Sequence, residues 1–238
     1  LFGGIALNTW VVGINPHAVA MSLRMGGRAV WFPTLSSQQH HDHGPKSHPH
    51  ETVELPNRVV EIRDANGHLS DDVLEVLDLI AESDALLSSG HLGLEDARDL
   101  FTEAVSRGVR RMVLSHPWHV IGANPEQCLE LCELGVFIEH EVGVFDPESV
   151  LKWDPEMLHE WIGALGADNT VLASDLGQKG RPMPVDSLIR VAQLMVDRGL
   201  DATALRRMAV DNPAFLLGLD ADRPQPLATS TVVQPAHL

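Results

Sequence analysis

The sequence predicts an α/β fold of parallel strands joined by crossover helices, and three observations carry that prediction. Short apolar runs alternate with amphipathic stretches from Phe2 onward. The run Arg28 to Thr34 is apolar without polar alternation, as in strands covered on both faces. Several amphipathic stretches open on Asn-Pro or Asp-Pro and close on glycine, the punctuation of helices. Counting gives six strands, each followed by a helix or a long excursion. Two architectures accommodate that order: an open doubly wound sheet, or a (β/α)8 TIM-barrel-like fold of which six βα units are present.

The first strand is Phe2 to Leu7. Asn15-Pro16 supplies a cap and a first-turn proline for a helix reaching Met25, which Gly26-Gly27 ends. Arg28 to Thr34 is the second strand. Residues 35–69 break the pattern, with five histidines between positions 40 and 50, a β-like Val59 to Ile62 segment and the turn Asn66-Gly67; they read as a long excursion with a hairpin in it. Ser70, followed by Asp71 and Asp72, starts a helix to Glu82. Strand Ala85 to Ser89, helix Leu94 to Arg107 and strand Arg111 to Ser115 follow. Asn124-Pro125-Glu126-Gln127 opens a helix with a capping box, and Gly135 closes it. Then come strand Val136 to His140, helix Pro155 to Leu165, strand Thr170 to Ser174, helix Pro184 to Arg198 and two short helices, Asp201 to Val210 and Pro213 to Leu217. Residues 1–219 form the expected domain and 220–238 a frayed tail.

With 238 residues and 44% hydrophobic content, the chain can fill a sizeable core. Lys and Arg number 17 against 33 Asp and Glu, a formal charge of −16. Such a surface repels phosphate backbones and anionic headgroups, which argues against nucleic-acid and membrane partners. No apolar run approaches the roughly 18 residues of a bilayer span. Cys128 and Cys132, four apart in a helical stretch, read as neighbours on one helix face and fit a reducing cytoplasm. The chain opens at Leu1 and enters an apolar stretch at once, so the expectation is that an N-terminal piece precedes it.

Chemically capable residues recur where strands finish: Asn8, Thr34, His91, His116, Glu139-His140 and Asp175. In parallel α/β folds the carboxyl ends of strands face a shared site, so residues far apart in sequence converge there. Imidazoles with carboxylates suit a divalent ion of hard-to-borderline character, which acidifies a bound water that a neighbouring carboxylate can deprotonate. His91, His116 and Asp175 each follow an apolar strand. Asp175 could instead cap a helix, but the next one begins only near Pro184. His119 and His140 carry a weaker signal. Glu139 and His140, adjacent on a strand, point to opposite faces. His40, His41, Asp42 and His43 with His48 and His50 look like a metal trap, but such a tract is more often a mobile solvated loop that binds metal adventitiously; following a strand, it would lie on the catalytic face, where it could act as a lid. Lys179 and Arg181 are equally candidates for an anionic substrate group and solvated loop charges. No phosphate loop, Gly-x-Gly-x-x-Gly turn or Gly-x-Ser-x-Gly elbow is present.

Taken in order, Ser89-Gly90-His91-Leu92, Ser115-His116-Pro117, Ile138-Glu139-His140, Ala173-Ser174-Asp175-Leu176-Gly177 and the terminal Asp211-Asn212-Pro213-Ala214-Phe215 resemble the amidohydrolase superfamily of metal-dependent (β/α)8 enzymes. The resemblance spans residues 1–219. It implies that Asp175 ends the eighth strand, Glu139-His140 the seventh, His116 the sixth and His91 the fifth, with Arg28 to Thr34 as the fourth and the opening strand as the third. Strands one and two, with the family's His-x-His, would then precede Phe2. It further implies metal ligation by His91, His116 and Asp175, a catalytic role for Asp175 as proton shuttle and for His116 at the substrate carbonyl, and zinc as the ion. A mononuclear site is implied, because the fourth strand offers no Lys or Glu to bridge two metals. The expected activity is hydrolysis of an amide, ester or lactone bond in a small molecule. Decarboxylation and a non-catalytic barrel with an incomplete metal site are the alternatives. Two missing units would expose the edges of strands Phe2 to Leu7 and Thr170 to Ser174, so a homo-oligomer is expected.

Overall fold

The computed structural model describes residues 2–44, 57–150, 152–219 and 222–224. These divide into two compact units, one of Leu1–Val136 with Leu216–Leu219, the other of Phe137–Phe215 with Asp220–Leu238.

In the first unit, β1 (Gly4–Ala6) leads to α1 (Pro16–Arg24), and β2 (Ala29–Trp31) to α2 (Gln38–His43). Helix α3 (Asp71–Glu82), β3 (Leu86–Ser88), α4 (Leu94–Ser106), β4 (Arg111–Ser115) and α5 (Pro125–Glu133) complete it. The four strands pair in parallel and in chain order, with Gly4 opposite Ala29, Ala29 opposite Leu86 and Leu86 opposite Arg111. A doubly wound sheet reverses its strand order at a switch point; these four strands do not, which is the progression of a barrel.

Local chemistry accounts for the element ends. Asn124 accepts the Gln127 amide at 2.9 Å while Gln127 Oε1 accepts the Asn124 amide at 2.9 Å, the reciprocal cap expected from the sequence. Helix α3 buries Val73, Val76, Leu77 and Ile80, a spacing of three, four and seven that makes one stripe. β2 is shorter than Arg28 to Thr34. Phe32 still donates to Ser88 O, but Pro33 has no N–H to continue the ladder. Fully buried Val30, Phe32, Leu87, Leu100, Phe101 and Leu114 form the core between strands and helices.

The excursion is more ordered than its composition suggests. Residues 38–43 form α2, capped by the Ser37 hydroxyl, which accepts the His40 amide at 3.0 Å. No strand forms at Val59 to Ile62. The hairpin reduces to one antiparallel bridge between Arg63 and Leu69, whose turn is held by Asp64 Oδ1 accepting from Asn66 N (2.8 Å) and His68 N (2.9 Å). Asn8 anchors the start of the excursion: its Oδ1 accepts from the backbone of Thr34 and Ser36, both at 3.0 Å. His48 and His50 lie outside the described residues, as does most of the expected tail.

In the second unit, β5 (Phe137–Glu141) pairs in parallel with β6 (Thr170–Ala173), Ile138 opposite Thr170. Helices α6 (Pro155–Leu165), α7 (Pro184–Asp197), α8 (Ala202–Arg206) and α9 (Asn212–Leu216) follow the expected order. The two terminal helices are not separate. A π turn over Arg207–Asp211 joins them, and the widened ladder falls where Pro213 could supply no α-helical N–H. Asn212 Nδ2 ties this turn to β6 by donating to Ala167 O (2.9 Å) and Thr170 O (2.7 Å).

Candidate functional site

His91 lies just past β3. The chain reaches it through Gly90, whose φ of +59° and closeness to β2 exclude a side chain: a Cβ there would overlap the Phe32 carbonyl oxygen and sit 2.7 Å from that of Pro33. The His91 amide then donates to Pro33 O at 2.9 Å. These contacts fix the ring, 9% exposed, against His40 of α2, itself 7% exposed. The two Nδ1 atoms are 2.8 Å apart and the rings stack at 21°, so one nitrogen carries the proton and the other accepts it. The Ser37 hydroxyl, which caps His40, also donates to His91 O at 2.8 Å.

His116 follows β4 directly, with a left-handed φ of +55° that is uncommon outside glycine and turns the chain sharply at the strand end. Its ring meets His91 edge-on, centroids 4.8 Å apart at 85°. His119 meets His116 in the same manner at 5.1 Å and 84°, and a ring nitrogen of each lies within 4.8 Å of the other's. From α2, Gln39 Nε2 donates to Val120 O (2.8 Å) and Ile121 O (3.2 Å), holding the loop that carries His119.

Four histidines from α2, β3 and β4 therefore converge within the first unit. Burial pushes the His91 imidazole well below its usual range, and the nearby His116, His40 and His119 rings push it further. It is neutral at physiological pH and offers a lone pair, the state a divalent ion requires. The donor chemistry fits a borderline ion such as zinc.

In the second unit, Asp175 follows β6 and, like His116, is left-handed, with φ +49°. Its side chain is exposed, and α7 begins only at Pro184, capped at Met183, so Asp175 caps no helix. On β5, His140 is fully buried and faces the Trp161 ring edge-on at 5.6 Å. Burial lowers its pKa to about 4, against the opposing pull of Glu141. Lys179 is exposed and Arg181 partly so. Of the residues singled out from sequence, the structure brings His91 and His116 together, adds His119, and places Asp175 at the end of its own strand in the other unit. The sequence favours a solvated loop over a metal trap for His40, whereas it is buried beside His91; Ser37, a helix-capping residue three positions earlier, is the signal that its composition hides.

The family described as "Family of unknown function (DUF6282)" matches residues 1–139. The chain belongs to that family. No curated protein matches this DUF6282 member. Among solved structures it is similar to an amidohydrolase from Pseudomonas aeruginosa, at 12% identity and a TM-score of 0.58, over 85% of this chain and 67% of that one. A mutant PTE-like lactonase of Deinococcus radiodurans is similar at 15% identity and a TM-score of 0.52, over 88% and 66%. The organophosphorus hydrolase of the same organism matches at 14% and 0.52, over 88% and 64%. The chain spans just under two thirds of the length of these Deinococcus enzymes. At such identities the likeness shows the fold, an α/β arrangement of the TIM-barrel-like kind. Among the described residues no helix is long and apolar enough to cross a membrane.

Proposed function

We propose that this DUF6282 member is a metal-dependent hydrolase of the amidohydrolase type, acting on an amide, ester or lactone bond of a small molecule, and that its six βα units are those of a (β/α)8 barrel. The observation that carries the proposal is the meeting of His91 and His116, each at the carboxyl end of its strand, with rings 4.8 Å apart. The fold shared with an amidohydrolase and lactonases supports it.

His91 and His116 would hold the ion, proposed to be zinc. A divalent ion bound there supplies Lewis acidity and a water that ionises near neutral pH. Asp175, a carboxylate that follows β6, would be the group to accept a proton from such a water and return it to the leaving group. In the alternative to ligation, with His91 alone on the ion, His116 would polarise the substrate carbonyl.

Elemental analysis of the purified protein, before and after dialysis against a chelator, combined with a panel of lactones and aryl esters, tests the reading. About one zinc per chain, hydrolysis that follows metal content, and loss of both in His91→Ala are expected. A protein that takes up no zinc on reconstitution, with turnover unchanged in His91→Ala, would overturn it.

A further inference from the structure

We propose that His40, delivered by the short helix α2, is a positioning residue for His91: its Nδ1 engages the Nδ1 of His91, which leaves Nε2 as the nitrogen that His91 presents to the metal ion. This rests on the metal-dependent reading above. A histidine that binds a metal through one ring nitrogen has its tautomer and ring orientation fixed by the hydrogen bond the other nitrogen makes.

The separation of the two Nδ1 atoms decides between a shared ion and a shared proton. Nitrogens each roughly 2.0–2.1 Å from one tetrahedral ion would lie about 3.3 Å apart. Those of His40 and His91 are 2.8 Å apart, a hydrogen-bond length, with the rings stacked at 21°. One proton therefore lies between them. When His91 donates it, the His91 lone pair is on Nε2, the form a metal ligand needs; when His40 donates it, a proton occupies Nε2 of His91 and blocks that lone pair. Ligation selects the first arrangement, with His40 as the acceptor. Both rings stay neutral throughout, so the pair loses no net proton.

The surroundings of His40 serve this contact. Ser37 joins the two residues through one hydroxyl, which accepts the His40 amide at 3.0 Å and donates to the His91 carbonyl at 2.8 Å. Gly44 stands against the ring: a Cβ there would come 2.5 Å from His40 Nδ1 and 2.6 Å from Cγ and Cε1. The Gly44 φ of −73° is open to any residue. What that position requires is closeness to the imidazole rather than backbone freedom. A six-residue helix has little stability of its own, so such contacts are what order it. Burying a second polar ring costs more than burying an apolar one unless its nitrogen finds a partner, and His91 is that partner.

Zinc(II) titrations of the full chain test the inference, with far-UV circular dichroism as the folding control and proton–nitrogen correlation spectra of the histidine rings to read the tautomer. The His91 signals are assigned through His91→Ala. In the zinc-loaded protein His91 should carry its proton on Nδ1 and bind through Nε2. His40→Phe keeps a ring without a nitrogen; it should lose about 10–100-fold in zinc affinity and release His91 from that single tautomer. Gly44→Ala alters no ring nitrogen, yet its methyl displaces His40 and should weaken binding in the same direction. His40→Gln returns an amide acceptor to the contact and should recover most of the loss, whereas His17→Ala, an exposed residue of α1, should be neutral. Zinc bound to Nδ1 of His91 would overturn the inference whatever the variants do. A folded His40→Phe with unchanged zinc affinity and an unchanged His91 tautomer, alongside a His91→Ala that binds nothing, would do the same. The hydrolase reading survives either result. If the unmodified protein takes up no zinc, both readings fall together.

Discussion

Gln39 donates its side-chain amide to two successive carbonyls, Val120 at 2.8 Å and Ile121 at 3.2 Å, and so fastens α2 to a loop 81 residues further along the chain. Both acceptors belong to buried residues, which makes the amide hard to replace. Gln39→Ala should cost about 1–2 kcal/mol in urea unfolding and speed amide exchange across residues 117–123. Gln39→Glu should cost more, because a carboxylate would face two carbonyl oxygens with no proton to share.

Gly90 and Gly67 both have positive φ, but only one is crowded. A methyl group at Gly90 overlaps the Phe32 carbonyl, whereas nothing lies within 4 Å of one added at Gly67. Gly67→Ala should therefore lose about 1 kcal/mol for backbone conformation alone. Gly90→Ala should lose more than about 3 kcal/mol and weaken metal uptake, since His91 must shift with it. Thermal unfolding of the pair separates the two effects.

In the second unit, Arg190 grips Asp146 in two-pronged fashion, Nε to Oδ1 at 2.9 Å and a terminal nitrogen to Oδ2 at 2.7 Å. The Glu148 amide adds a third donor at 3.0 Å. Led by the Arg190 contact, these donors hold the buried Asp146 carboxyl at about 2. Its folded pKa lies below the unfolded value, so its contribution is complete above about pH 4 and disappears as pH falls toward 2. Asp146→Ala should destabilise the protein by about 2–3 kcal/mol at neutral pH and flatten the acid limb of the stability profile in that window.

His140 works in a higher window. Its pKa of about 4 lies below the ordinary 6.5, so between those values the unfolded chain binds a proton that the folded one excludes. Stability falls as pH drops through that range, by an amount approaching about 3 kcal/mol near pH 4. Urea unfolding at pH 7, 6, 5 and 4 should show the decline, and His140→Gln should remove most of it. An equal decline in both proteins would refute the assignment to His140.

The sequence was most legible where one short stretch contains both the cause and the effect. The Asn124-Pro125-Glu126-Gln127 cap and the alternation of strands and helices follow from local rules, whereas the strand expected over Arg28 to Thr34 ends at Trp31. His91 and His116 were legible because each directly follows an apolar strand, and strand ends converge in parallel folds. His40 was not. Its environment is made by a residue 51 positions away, and a run of histidines in a polar stretch looks like solvated loop whichever way it folds. The left-handed turns at His116 and Asp175 were equally hidden, because no glycine marks them.

Those two turns have an evolutionary consequence. A non-glycine residue held at positive φ stores about 1–3 kcal/mol, and glycine at either position would release it. Heat-resistant variants selected without regard to turnover should therefore accumulate glycine or asparagine at positions 116 and 175, gaining robustness as the chemistry disappears. Retention of His116 and Asp175 in a lineage is then a record of selection for what they do, since folding alone rewards their replacement.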